Sequence, residues 1–331
     1  MTAHVGRPAR LLPALTVAMA AVLSLAACSS DATSVAEPPS ATAQQPLPPD
    51  VSFDNPTQTP PTQSTDCDTS ALRPTVLPEP RKMPDKSTMA RIYDRGRLVV
   101  GTDLGSNPLS FRDPISGDVK GFDIDVAHWI AGAIFGDENL IEYRMLSNED
   151  RVEALRNGSV DIVVKTMSIN CDRLEKIDFS APYYAASQQI LAYRNSGISQ
   201  PSDLAGKNVC ATRASTSIAR VQRAVPSAKY VTTGSWADCL VMMQQGQVDA
   251  ITSDDTILAG IASQDPWVHV VGDSLGTENY GVGIPKGQDD FVRFINGVLA
   301  ERKADGSWQR SYNRWLSLLG PGSPPPTTYR D

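Results

Sequence analysis

Between Leu155 and Tyr184 the chain reads LRNGSVDIVVKTMSINCDRLEKIDFSAPYY, and the same grammar returns from Met243 as MQQGQVDAITSDD. In each copy a glycine, Gly158 or Gly246, closes a helix tail. A Val-Asp pair, Val160-Asp161 or Val248-Asp249, then leads into a short apolar run. Glycine suits a helix end because it tolerates left-handed dihedrals without steric cost. The β-branched run after it reads as a buried strand. Polar and charged residues crowd the exits: Lys165, Thr166, Ser168 and Arg173 after the first run, Ser253, Asp254 and Asp255 after the second. In open α/β sheets small ligands bind just beyond the carboxyl ends of the strands. One cationic and one anionic exit describe a cleft for a zwitterion, which is an amino-acid site in outline.

Strand-like and helix-like runs alternate over about residues 85–320: Leu98–Gly101 then Asp125–Ile134, Val160–Val164 then a polar loop, Asn208–Ala211 then Ser217–Ala224, Val248–Thr252 then Thr256–Ala262. That alternation predicts α/β architecture. The last element, Phe291 to Leu318, reads as helix with a bend near Asp305-Gly306. Its Trp308, Tyr312 and Trp315 recur at helical spacing, a stripe read as core packing.

The N-terminus reads as a targeting segment. Arg7 and Arg10 precede an uncharged apolar run from Leu11 to Ala27, closed by Leu25-Ala26-Ala27-Cys28. The alternative, a membrane-spanning helix, is disfavoured because the run is marginally short and ends like a cleavage site. Residues 1–27 contain two arginines and no acid, so their removal takes the formal charge from −7 to −9. An acidic chain without a Lys/Arg-rich run argues against nucleic acid as a partner. Residues 28–84 are rich in Pro, Ser, Thr, Gln and Ala and read as an extended spacer that cannot bury enough surface to fold.

Beyond Cys28 stand Cys67, Cys171, Cys210 and Cys239, an even number that favours disulfides in an exported chain. Three pairings are open. Cys210 with Cys239 is favoured, since a strand and its neighbouring helix would hold both in one lobe, which leaves Cys67 with Cys171. Catalytic groups are scarce. His4 lies in the signal, and His128 and His269 stand outside any metal-ligand spacing. Asp203–Asn208 lacks the spacing of a phosphate-binding loop, and no nucleophile elbow occurs. Asp123 and Asp125, just after Gly121, read as helix-capping residues. Neither an enzyme, a metal nor a cofactor is expected.

The chain resembles the extracellular solute-binding proteins of polar amino-acid ABC transporters, the glutamine/glutamate-binding group. The resemblance is carried by Leu98-Val-Val-Gly-Thr-Asp103, Gly121-Phe-Asp-Ile-Asp125, Asn157-Gly-Ser-Val-Asp161, Arg173 with Asp178-Phe-Ser-Ala-Pro-Tyr-Tyr184, Asp203-Leu-Ala-Gly-Lys207, Val248-Asp-Ala250, Tyr280-Gly-Val-Gly-Ile-Pro-Lys286 and Asp305-Gly-Ser-Trp308. It implies an α/β, two-lobed periplasmic-binding-protein-like fold (type II) with two hinge crossovers and a ligand cleft between the lobes. Lobe 1 would comprise residues 85–187 and 278–320 and lobe 2 residues 188–277, followed by a tail at 321–331. The N-terminus resembles a bacterial lipoprotein signal, which implies that Cys28 is lipidated and anchors a monomer to the outer face of the cell membrane.

The same resemblance assigns roles. Arg173 would take the ligand α-carboxylate, a task that suits the paired donors of a guanidinium. Ser168, Thr216 and Ser217 would help at that end, the last two from a helix start, and Asp254 would take the α-ammonium. Asp103 would receive a side-chain amide, while either Lys165, beside Thr166, or Arg213 would meet a side-chain carboxylate. Ser106 and Asn148 replace aromatic residues of the glutamine binders, which disfavours large apolar ligands. The implied ligand is a polar L-amino acid of the glutamate, glutamine, aspartate and asparagine class. The implied partners are an ABC permease with separate ATPase subunits. Two alternatives are an amino-acid sensor signalling through a membrane partner and a cyclohexadienyl-type dehydratase.

Overall fold

The computed structural model describes residues 46–54 and 66–331. The signal and the lipidation expected at Cys28 lie outside the described residues. No helix among the described residues is long and apolar enough to cross a membrane.

Two mixed sheets organise the chain. The five-stranded sheet runs in the order Ile141–Met145, Leu98–Thr102, Ile162–Val163, Gly283–Pro285, Ile177–Phe179. The six-stranded sheet runs Ser52–Asp54, Lys229–Thr233, Asn208–Thr212, Ala250–Asp254, Tyr184–Tyr193, Val268–Tyr280. The chain passes to the second sheet along Tyr184–Tyr193 and returns along Val268–Tyr280. These two long strands pair antiparallel, with Tyr184 opposite Tyr280. The crossings are therefore side by side, as a hinge requires.

The repeated Gly/Val-Asp grammar has a structural cause in both sheets. Gly158 and Gly246 sit at φ 70° and 68° after their helices, where any other residue would be strained. The following aspartates then cap a neighbouring strand. Asp161 Oδ2 accepts the Val99 N–H at 2.7 Å, and Asp249 Oδ2 accepts the Asn208 N–H at 2.8 Å. Each carboxylate thus fixes the register of a parallel strand and the height at which the next strand emerges.

The C-terminal region forms two helices, Asp289–Ala304 and Ser307–Trp315, parted at Gly306 with φ 76°. Trp308 and Tyr312 are buried, stack with centroids 5.3 Å apart, and the Trp308 indole donates to the Tyr183 carbonyl. This aromatic stripe is core, packed against the point where the first crossing begins. Trp315 is only partly buried there.

Three expectations need correction. Residues 66–84, read from composition as spacer, are ordered on the five-stranded half: Ala71–Leu72 pairs with Tyr329–Arg330, and the buried Asn296 side chain donates to the Leu72 carbonyl. The segment folds on contacts borrowed from distant residues, which local composition does not report. The stretch 46–54 is also placed, with Ser52–Asp54 lying antiparallel along Lys229–Thr233 as an edge strand. Finally, Asp123 and Asp125 do not cap the helix Phe122–Phe135. Asp123 turns inward to the Thr166 N–H and the Tyr183 hydroxyl, and Asp125 accepts from Ser311 and Trp315. The disulfides are Cys67–Cys171 and Cys210–Cys239.

Candidate ligand-binding cleft

The two halves meet across the carboxyl ends of their parallel strands. From the five-stranded side come Asp103, Asn148, Arg151, Lys165, Thr166, Ser168 and Arg173. From the six-stranded side come Thr212, the turn through Ala214, the start of the helix Thr216–Ala224, and Asp254. The halves are closed on each other. Asn148 Nδ2 donates to Thr212 Oγ1 at 2.8 Å, and the guanidiniums of Arg151 and Arg173 both reach the Ala214 carbonyl at 3.3 Å. Thr166 and Ala214, one on each side, hold positive φ values of 42° and 52°. Such strain in residues with a Cβ persists where surrounding contacts over-determine the backbone.

Two adjoining cavities lie in this cleft and share Asn148 and Trp236. The smaller, of about 20 Å³, is bounded by Arg173, Ser168, Thr216, Ser217 and Asp254. That is little more than room for one water, so a larger ligand enters only when the halves part. Arg173 donates to the Ser168 carbonyl at 2.7 Å. The helix Thr216–Ala224 begins at this wall without a side-chain cap, and its open N–H groups favour an anion. Asp254 stands opposite in charge. Its Oδ2 accepts the Tyr280 hydroxyl, while Oδ1 is buried without a partner. Although Asp254 occupies the position before a helix, its side chain does not cap it. Burial, reinforced by the Glu278 charge, pushes its carboxyl up to about 7. A buried acceptor with nothing to accept is costly. A cation brought to Oδ1 would relieve that cost.

The larger cavity, about 170 Å³, is lined by Asp103, Ser106, Leu146, Asn148, Lys165, Thr212, Gly234 and Trp236 among others. Lys165 is 5% exposed. Its ammonium lies 2.7 Å from Asp103 Oδ2 and donates to Asn148 Oδ1 at 2.8 Å. Asp103 also accepts from Ser106 at 2.9 Å and Ser110 at 2.8 Å. Burial alone would raise the Asp103 carboxyl, but Lys165 and the two hydroxyls outweigh it and hold it below the ordinary range. Burial lowers the Lys165 ammonium, with Asp103 opposing that shift.

Of the residues expected at the site, Asp103, Lys165, Thr166, Ser168, Arg173, Thr216, Ser217 and Asp254 all line one of these cavities. Arg213 does not. It reaches out of the cleft to Glu149 at 3.3 Å and to the Asp50 carbonyl. A side chain at the rim finds those partners before it finds the interior. Arg151 was missed. It is 3% exposed and donates to the carbonyls of Asn148, Lys165 and Ala214. Burial, and then the Arg173 charge, bring it down to about 9. Its signal was its spacing, since Arg151 shares an inward face with Ala154 and Leu155. Trp236 was missed with the strand before it. Among the described residues no cluster of side chains could hold a metal ion.

Residues 98–318 match the family model of bacterial extracellular solute-binding proteins, family 3. The chain belongs to that family. Among its relatives this solute-binding protein is 33% identical over 239 residues to the ABC transporter glutamine-binding protein GlnH of Bacillus subtilis, covering 72% of this chain and 88% of that one. It is 31% identical over 229 residues to the glutamate-binding protein GluB of Corynebacterium efficiens, covering 66% and 78% respectively. Among solved structures, an ancestral arginine-binding protein bound to glutamine superposes with a TM-score of 0.62 at 31% identity, covering 67% of this chain and 98% of that one. The two-sheet α/β fold of the solute-binding protein is thus that of amino-acid-binding proteins. By family the chain is a solute-binding protein.

Proposed function

We propose that the protein binds polar amino acids of the glutamate, glutamine, aspartate and asparagine class outside the cell membrane and delivers them to an ABC permease whose ATPase is a separate chain. The observation that carries this reading is the small cavity between Arg173 and Asp254, where a buried carboxylate oxygen without a partner faces a guanidinium and an open helix start. Arg173, Ser168, Thr216 and Ser217 take the α-carboxylate, and Asp254 takes the α-ammonium. The adjoining cavity takes the side chain, with Lys165 at its polar end. Residues 85–187 with 278–320 form one jaw and residues 188–277 the other, and they part along the paired strands to admit ligand. Relatives named for glutamine and glutamate binding support the ligand class. Lipidation of Cys28, at the end of Leu-Ala-Ala-Cys, holds the protein at the membrane surface. Each buried methylene of such an anchor contributes roughly 0.8 kcal/mol.

Calorimetric titration of the purified protein with glutamate, glutamine, aspartate, asparagine and arginine tests the ligand class. Saturable binding of the first four with arginine excluded is expected. Binding of arginine alone, or of none of the five, would overturn it.

A further inference from the structure

The side-chain cavity contains an arrangement that the zwitterion ends do not explain. A lysine ammonium has three donors. Two of those of Lys165 are spent on Asp103 Oδ2 and Asn148 Oδ1, which leaves one for the cavity. Both oxygens of Asp103 are already engaged, Oδ1 by Ser110 and Oδ2 by Ser106 and Lys165. An aspartate so occupied is poorly placed to receive a ligand amide. The wall supplied by the other half, Thr212 and Gly234 to Ala237, carries no charge. Of the two charged groups that line this cavity, Lys165 and Asp103, the ammonium is therefore the one with a donor left to offer a ligand side chain.

Resting on the reading that this cleft takes acidic and amide amino acids, we propose that Asp103 is a positioning residue. It lines the cavity but acts on the ligand through Lys165. It keeps Lys165 charged and aimed, so that the site selects a side-chain carboxylate or carbonyl oxygen and rejects a cation. The groups facing Lys165 make the dependence sharp. Asp103 approaches from the end of the strand Leu98–Thr102, Arg151 from the helix Asp150–Arg156, and Asp123 from the helix Phe122–Phe135. Burial and Arg151 both favour the neutral amine, and Asp103 is the first of the opposing influences. Without Asp103 the amine gives up its proton more readily, and lowering the pH restores it.

The test measures Kd for glutamate and glutamine from pH 5.5 to 8 in wild type, Asp103→Asn, Asp103→Glu, Lys165→Met and the double variant Asp103→Asn/Lys165→Met. The quantity read is the glutamine-to-glutamate Kd ratio. Both ligands share the α-ammonium and α-carboxylate, so titration of Asp254 cancels. The ratio should be nearly flat with pH in wild type. In Asp103→Asn it should fall at least tenfold at pH 8 and recover toward pH 5.5. In Lys165→Met it should stay low at every pH, and adding Asp103→Asn there should lower it no further. Asp103→Glu should restore most of the wild-type ratio. An Asp103→Asn protein that weakens both ligands equally at all pH values, or neither, overturns the proposal. A wild type that binds neither ligand overturns the reading of the cleft instead.

Discussion

The carbonyl oxygen of Asn107 occupies the space where a side chain on Gly260 would begin: a Cβ built there would stand 1.6 Å from it. Asn107 belongs to the loop beside the five-stranded half, and Gly260 to the helix Asp255–Ala262 behind Asp254. The contact joins the two halves in this closed arrangement. Gly260→Ala should impede closure without touching the ligand, and alanine is a better helix residue than glycine. If the clash costs what overpacking usually does, about 1–3 kcal/mol, affinity falls roughly 5- to 150-fold. The melting temperature of the ligand-free protein should hold or rise. Calorimetry paired with thermal unfolding checks this, and wild-type affinity would show that closure does not need the contact.

Arg213 supplies a contrasting case. Its partners are Glu149 and the Asp50 carbonyl, both at the rim. Exposed ion pairs of this kind contribute about 0–1 kcal/mol. Arg213→Ala should leave glutamate affinity within about threefold of wild type at moderate salt. A loss of a hundredfold in the same titration would return Arg213 to the ligand.

Stability of the ligand-free protein should depend on pH through Asp254. Its carboxyl is raised from 3.8 to about 7 by burial and the Glu278 charge. Between about pH 4 and pH 7 the folded chain keeps a proton that the unfolded chain has released, so stability falls as pH rises and levels off above about 7. Three units correspond to at most about 4 kcal/mol. Asp123, also raised to about 7, adds to the wild-type trend, so the difference between proteins isolates Asp254. Asp254→Asn should exceed wild type in stability by a margin that grows from pH 4 to 7, while losing ligand. Denaturant unfolding across this range is the check; a margin independent of pH would contradict the assignment.

Much of the site was legible because strand exits are local features. Lys165, Arg173 and Asp254 follow short β runs that are preceded by positive-φ glycines, and both the runs and the glycines obey rules of a few residues' range. What escaped depends on distant partners. Nothing near Asp103 announces that Lys165, 62 positions later, will claim it. Asp123 looked like a cap because its neighbours are a glycine and a helix, whereas its partners Thr166 and Tyr183 lie far along the chain. Arg151 was readable from its spacing, yet an arginine on a short helix defaults to solvent. Residues 66–84 are held by Cys171, Asn296 and the C-terminal strand, all distant in sequence.

The central claim is that Arg173 and Asp254 grip the two charged ends of one free amino acid. The most direct measurement titrates the protein with glutamate, with glutarate, which lacks the α-ammonium, and with 4-aminobutyrate, which lacks the α-carboxylate. Leaving one member of a desolvated charge pair unmatched typically costs about 2–5 kcal/mol. Each truncated ligand should therefore bind at least about 30-fold more weakly than glutamate. Either one binding within about threefold of glutamate would contradict the account.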